Sequence, residues 1–346
     1  MNWDCIDKLY SLAHVNMGRI IQWEIQPWKE RRLRSKLRLI AMFPYALVVG
    51  LKNKMHGILI TRQMRRERHE KYFLAIVAIA KNEGLYIAEW CAWHKLLGVD
   101  CIIVYDNDST DDTHQALQPF IDNGFVLYNH FGGRGVQCDA YHDAILRYGS
   151  LCRYMAIIDC DEFLHPLNEG ETLKEIVDSR FAHSKNIGGI AVNWAIFGSS
   201  GHTTKTPGLV TERFTHRSKP EFSPNRHIKS IVRPECVKMF PNPHAAVYHT
   251  GFYCVNMEGH LVRGPFSNVA SSWHHLRLDH YYTKSHNEFL IRRERGSADC
   301  TDKTRQIETL YSYDRNEVYD TSLACQSVEI RNLLAESHGA DYVAKL

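Results

Sequence analysis

The sequence predicts an α/β fold, a mostly parallel sheet flanked by helices. Three observations point there. Apolar runs of strand length at 73–80, 101–105 and 125–128 each lead into a segment with helical spacing. The first two of these runs end in turn-forming polar residues, Lys81-Asn82-Glu83-Gly84 and Asp106-Asn107-Asp108. A fourth run, Tyr154-Met155-Ala156-Ile157-Ile158, stops at two carboxylates one residue apart, Asp159 and Asp161. A buried parallel strand ends this way where it reaches a ligand cleft.

At 346 residues and 44% hydrophobic content, the chain is long enough for one α/β domain with appendages and a full core. Net charge is only +3, but residues 1–71 hold fifteen Lys or Arg against six Asp or Glu, so the remainder is mildly acidic. The spacing divides the chain into a basic N-terminal region (1–71), the α/β domain (72–300) and a polar, helical tail (301–346). Ten cysteines are scattered with no C-x-x-C pair and no secretory signal, which reads as reduced thiols in the cytoplasm.

The N-terminal region carries the run Lys29-Glu30-Arg31-Arg32-Leu33-Arg34-Ser35-Lys36-Leu37-Arg38, then an apolar stretch at 39–51 containing Pro44. A spanning helix needs about twenty apolar residues, more than this stretch has. A second basic cluster follows at Arg62, Arg65, Arg66 and Arg68. Basic flanks around a short apolar segment suit peripheral residence on an anionic inner membrane surface. A solvated helical hairpin packed on the main domain explains the same residues. Nucleic-acid binding ranks last, because the clusters lack interleaved aromatics.

The strand at 73–80 opens the domain. Residues 85–97 then have helical spacing and stop at Gly98, placed as a C′ glycine. The strand at 101–105 leads to a helix ending near Phe120, with Ser109 or Thr110 as its cap. After the strand at 125–128, Gly132-Gly133-Arg134-Gly135 opens a helix through Tyr148, and Gly149 ends it. Beyond the paired aspartates the alternation breaks down. A short helix at 172–177 precedes strands at 189–194, 208–214 and 228–232, separated by polar loops of the kind that close over a cleft. Residues 273–283 read as strand or loop, and Ser285 caps a helix stopped by Gly296.

Asp-x-Asp is a common pattern in a chain with 39 acidic residues, and Asp106-Asn107-Asp108 also fits a turn or cap. Position sets Asp159 and Asp161 apart, directly after Ile157-Ile158 and before Phe163-Leu164. Paired hard oxygens suit Mn²⁺ or Mg²⁺, which in turn suit a diphosphate. Glu83, Asp106 and Asp159 each fall at the carboxyl end of an expected strand, where one crevice receives all three. Arg134 in its glycine-rich turn suits a phosphate. Three readings follow: a nucleotide-dependent transferase, a metal-dependent phosphohydrolase, and a non-enzymatic basic scaffold for anionic lipid or nucleic acid. The phosphohydrolase would need a denser His/Asp constellation.

An ordered set of motifs then resembles glycosyltransferase family 92 and its relatives near family 2. The set runs Lys81-Asn82-Glu83-Gly84, Glu89-Trp90, His94-Lys95-Leu96-Leu97-Gly98-Val99 and Tyr105-Asp106-Asn107-Asp108-Ser109-Thr110-Asp111. It continues through Ile158-Asp159-Cys160-Asp161-Glu162-Phe163, Phe197-Gly198-Ser199-Ser200-Gly201-His202, Lys229-Ser230-Ile231-Val232 and His280-Tyr281-Tyr282-Thr283-Lys284-Ser285. The resemblance covers roughly 73–300 and implies a GT-A type fold; it leaves the tail and the basic N-terminal region, expected to be helical from its own residues, unexplained. It implies a hexosyltransferase using a nucleotide-sugar donor, with a UDP-sugar and UDP-galactose favoured, and a glycan or lipid-linked glycan as acceptor. By position, Glu83 and Asp106 match residues that hold the nucleotide. Asp159 and Asp161 match the motif bridging ribose, Mn²⁺ (or Mg²⁺) and diphosphate. His280, with His244 second, is the candidate third metal ligand. The family 2 acidic pair that serves as base is not evident after the fourth strand, and Glu212 stands as the candidate base.

Overall fold

The computed structural model describes residues 68–267, 273–294 and 307–346, with isolated helical positions between 44 and 62. The basic run at 29–38, Arg65 and Arg66 of the second cluster, and with them the membrane expectation, lie outside the described residues. Among the described residues no helix is long and apolar enough to cross a membrane.

Three strand–helix pairs and a fourth strand build the first half in chain order: β1 (Tyr72–Ala80), α1 (Ile87–Leu96), β2 (Cys101–Asp106), α2 (Thr113–Asp122), β3 (Val126–His130), α3 (Gln137–Tyr148) and β4 (Cys152–Ile157). The strands β4-β1-β2-β3 lie side by side and parallel. β1, β2 as far as Tyr105 and β4 from Tyr154 onward are apolar because both faces are covered. Along β1, Leu74, Ile76 and Ala78 enter one core, while Ala75, Val77 and Ile79 enter the other. Gly98, with φ 79°, ends the first helix unit in the left-handed region that favours glycine.

The second half continues with β5 (Glu162–Pro166), α4 (Leu173–Ala182), β6 (Ile187–Ile196), α5 (Val210–Arg213), β7 (His216–Arg217), β8 (Ile228–Val232), β9 (Val237–Met239), β10 (Val247–Tyr248), β11 (Tyr253–Asn256), β12 (Leu261–Val262) and β13 (Leu276–His280). Strand β8 inserts antiparallel between β4 and β6, which extends the sheet to β12-β11-β6-β8-β4-β1-β2-β3. Strand β13 runs parallel to β6 and antiparallel to β5, pairing Glu162 with His280. The expected mostly parallel α/β sheet is therefore present, with this antiparallel insertion.

Two expectations are corrected. The segment 208–214 is no strand: Val210 N and Thr211 N donate to the Glu89 carboxylate at 2.7 and 3.0 Å, so a buried acid from α1 caps the one-turn α5. Ser109 and Thr110 do not cap α2, which starts at Thr113. They bond Asn82 instead.

The chain closes with α6 (His286–Glu294), α7 (Ile307–Tyr313), β14 (Val318–Tyr319), α8 (Ser327–His338) and α9 (Ala340–Val343). Ile330 and Leu334 of α8 belong to the larger core, and His338 Nε2 bonds Ala116 O at 2.8 Å. The tail thus packs on α1 and α2.

Candidate active site

Because β1, β2 and β4 are parallel neighbours, their carboxyl ends share one edge of the sheet; Ala80 pairs with Asp106, and Val77 with Ile157. The loops beyond that edge are laced together. Asn82 N donates to Ser109 Oγ at 2.9 Å, and Thr110 N donates to Asn82 Oδ1 at 2.7 Å. Asn82 and Asp108 hold φ of 51° and 54°, a region Asn and Asp tolerate better than most residues. Asp106 is buried and accepts from Ser109 N at 2.9 Å and Tyr128 OH at 2.8 Å. Asp108 accepts from Gly133 N at 3.1 Å, which fixes the glycine-rich turn against the same edge. Arg134 is exposed on that turn.

Asp159 and Asp161 follow β4 directly. Asp159 Oδ1 accepts from Gln137 Nε2 at 2.9 Å and Tyr141 OH at 3.2 Å, and Lys229 Nζ lies 2.8 Å from Oδ2. Burial alone raises this carboxyl, but the Lys229 ammonium outweighs it and holds Asp159 below the usual range. Asp161 Oδ2 accepts from Arg292 Nη2 at 2.6 Å and faces His280 Nε2 at 3.3 Å. Against burial, Arg292 and then His280 hold Asp161 well below the usual range. Between them the Cys160 thiol is pushed up, first by burial and then by Glu83, Asp159 and Asp161.

Glu162 sits behind this pair with no exposed surface. Its Oε2 accepts from Asp159 N at 2.8 Å and so fixes the turn that aims both aspartates. Burial pushes its carboxyl well above the usual range. Among the described residues its Oε1 finds no hydrogen-bond partner, nor does His280 Nδ1, which it faces across 4.0 Å.

The divalent ion that the resemblance implies at Asp159, Asp161 and His280 does not fit these residues as they stand. Each aspartate already meets a cation, Lys229 on one and Arg292 on the other. Among the described residues no three His, Cys, Asp or Glu side chains are gathered to hold a metal ion. His244 is bonded through Nδ1 to Ile228 O at 3.2 Å and packs against Trp194. Burial, helped by Lys229, lowers its pKa to about 3.

The structure therefore brings Asp159, Asp161 and His280 together and sets Glu83 and Asp106 on the adjoining strand ends. It does not bring in Glu212. That carboxylate accepts from Arg331 Nη2 at 2.6 Å and Leu209 N at 2.8 Å, and braces α8 against α5. Sequence reasoning passed over Lys229 and Arg292. Both carried a signal: Lys229 interrupts the apolar strand Ile228-Lys229-Ser230-Ile231-Val232, and Arg292 lies three residues after Phe289, on the helix face that an apolar residue marks as inward. A charge at a buried position requires a partner.

The profile of glycosyltransferase family 92 matches residues 76–257, which span β1 through β11 and include both aspartates. The chain belongs to glycosyltransferase family 92. A family 92 protein of Ricinus communis is 32% identical over 213 residues, covering 59% of this chain and 38% of that protein. One from Oryza sativa subsp. japonica is 27% identical over 180 residues, covering 51% and 30%. The chain thus spans well under half the length of these family 92 relatives. Among solved structures, S. aureus TarS 1–349 in complex with UDP is similar over 47% of each chain, with 16% identity and a TM-score of 0.31. Glucosyl-3-phosphoglycerate synthase from Mycobacterium tuberculosis, in complex with Mn²⁺, UDP and glucosyl-3-phosphoglycerate, is similar over 36% of this chain and 44% of that one. Its identity is 20% and its TM-score 0.25.

Proposed function

We propose that the protein is a GT-A type glycosyltransferase that moves a hexose from a nucleotide sugar to a hydroxyl of a glycan or lipid-linked glycan. A UDP-sugar, UDP-galactose first, is the favoured donor. The observation that carries this reading is the convergence of Glu83, Asp106 and Asp159 at the ends of three adjacent parallel strands, within the stretch that matches the family. Ligands of such sheets bind beyond the carboxyl ends of the strands.

In this reading Asp106 and Glu83 accept hydrogen bonds from the base or ribose, and the diphosphate lies over the turn between β4 and β5. The acceptor oxygen attacks the anomeric carbon as the bond to the diphosphate breaks. The electron pair leaves with the nucleoside diphosphate, and the acceptor's proton passes to a carboxylate. Negative charge grows on the departing phosphate, and the cations beside the turn, Lys229 and Arg292, are placed to answer it. No step is routed through a metal ion, because the oxygens that would bind one are ion-paired.

A donor-hydrolysis screen tests the proposal. Nucleotide sugars are incubated with the protein, with and without Mn²⁺, and free nucleoside diphosphate is measured. The expected result is release from one UDP-sugar that disappears when Asp159 and Asp161 are both changed to Asn. Release from none of them, with simple glycan acceptors also supplied, would overturn it.

A further inference from the structure

We propose that Arg292 is a ligand of the donor's diphosphate, held by Asp161 while the site is empty and handed to the phosphate when donor binds. The inference rests on the nucleotide-sugar reading above and adds a residue to it.

Helix α6 carries Arg292, and its first turn is anchored on both sides. Ser285 and Glu288 cap the start of α6 reciprocally: Ser285 N donates to Glu288 Oε2 at 3.1 Å, and Glu288 N to Ser285 Oγ at 3.3 Å. Glu288 also pairs with Arg213 at 3.1 Å and accepts from Tyr86 OH at 2.6 Å, while Phe289 is fully buried. The first turn is thereby bolted to α1 and α5. Arg292 lies four residues after Glu288, on the same face, so its direction is set before any contact of its own.

Arg292 is buried, with a relative exposure of 6%. Nη1 donates to Tyr282 O at 3.0 Å and Nη2 to Asp161 Oδ2 at 2.6 Å. Nε finds no hydrogen-bond partner among the described residues. An arginine recognises carboxylate or phosphate with two parallel donors, and Asp161 supplies an oxygen to only one of them. The pair is half-formed, and a buried donor left unmet is costly. A diphosphate over the β4–β5 turn presents several oxygens to the same fork and satisfies Nε as well as Nη2.

Arg292 also accounts for the poor fit of a divalent ion. The positive charge that would answer the diphosphate is already in the protein, on a side chain that Asp161 parks at the turn. His280 Nε2, 3.3 Å from Asp161 Oδ2, stays with the carboxylate when the arginine turns to phosphate. Asp161 is accordingly a competitor of the phosphate as well as a positioning residue.

Calorimetric titration of the full chain with UDP and with uridine tests this, first in EDTA and then with Mn²⁺. Arg292→Gln is expected to weaken UDP binding tenfold or more and leave uridine binding unchanged. Arg292→Lys, which keeps the charge and loses the fork, falls between, and melting curves establish that both variants fold. Asp161→Asn is expected to tighten UDP in EDTA when Arg292 is present and to do nothing in the Arg292→Gln background. UDP bound equally by wild type and Arg292→Gln, in EDTA or with Mn²⁺, overturns the proposal. So does equal weakening of UDP and uridine, which marks a purely structural arginine. Wild-type protein that binds neither ligand under either condition overturns the donor reading itself, and this inference with it.

Discussion

The Lys229 ammonium stands 2.8 Å from Asp159 Oδ2 and 3.8 Å from Glu162 Oε2, on a side chain only 1% exposed. One buried cation therefore serves two carboxylates that close the fourth strand. Against burial, Asp159 and then Glu162 raise the Lys229 pKa, so it stays charged.

Lys229→Met is expected to destabilise the protein by about 3 kcal/mol, the lower end for breaking a buried pair, because Asp159 keeps 31% of its side chain exposed. The loss shrinks in an Asp159→Asn background, since no unpaired charge then remains. Urea denaturation of the single and double variants measures both.

Acid should destabilise the fold through His94. This imidazole is fully buried; Nδ1 meets Trp90 O at 2.8 Å, and Nε2 accepts from Leu164 N at 3.3 Å. Burial lowers its pKa to about 3, against 6.5 for the ordinary group. The unfolded chain then binds a proton that the folded one refuses, so stability is complete above about pH 6.5 and falls toward pH 3. The slope approaches about 1.4 kcal/mol per pH unit for one such group. Urea midpoints between pH 7 and 4 are expected to drop more in wild type than in His94→Gln.

Asp106→Asn should separate nucleotide binding from loop architecture. The amide oxygen keeps one of the bonds from Ser109 N and Tyr128 OH, while the charge is lost. UDP affinity is expected to fall by about 1.5–3 kcal/mol, the range for a hydrogen bond to a charged group. Calorimetry beside a melting curve checks it. Unchanged affinity with a lowered melting temperature would leave Asp106 as a turn residue.

Chelation should leave nucleotide binding nearly intact. With Lys229 and Arg292 on the two aspartates, UDP affinity in EDTA is expected to stay within about threefold of its value in Mn²⁺, under 1 kcal/mol. A loss of a hundredfold would mean that a metal displaces those cations. Titration under both conditions decides it.

The parallel half of the fold was legible because β1, β2 and β4 are buried on both faces, and such strands are unbroken apolar runs. Strand β8 matched its expected span residue for residue. Elements that depend on distant partners were not legible. Helix α5 exists because Glu89, more than a hundred residues earlier, caps it, and no local pattern announces that. Strand β5 pairs with β13 across the chain, and nothing local in its five residues announces that partner. The site divides the same way. Asp159 and Asp161 showed themselves by following a strand, whereas the cations that answer them arrive from β8 and α6, far along the sequence.

Strand β8 is fenced on both sides, with Ile231 opposite Ala156 on β4 and Lys229 opposite Val192 on β6. Its side chains alternate: Ile231 enters one core, while Ile228 and Val232 enter the other. A slip of one position would carry the ammonium to the far face and put Ile228 or Ser230 beside Asp159. Deleting a single residue from the turn before β8 would therefore be worse than most substitutions within it. The chain would have to choose between satisfying its two greasy layers and delivering its charge. In a library of variants, this short strand should tolerate conservative swaps at Ile228, Ile231 and Val232 yet reject every change of length around it.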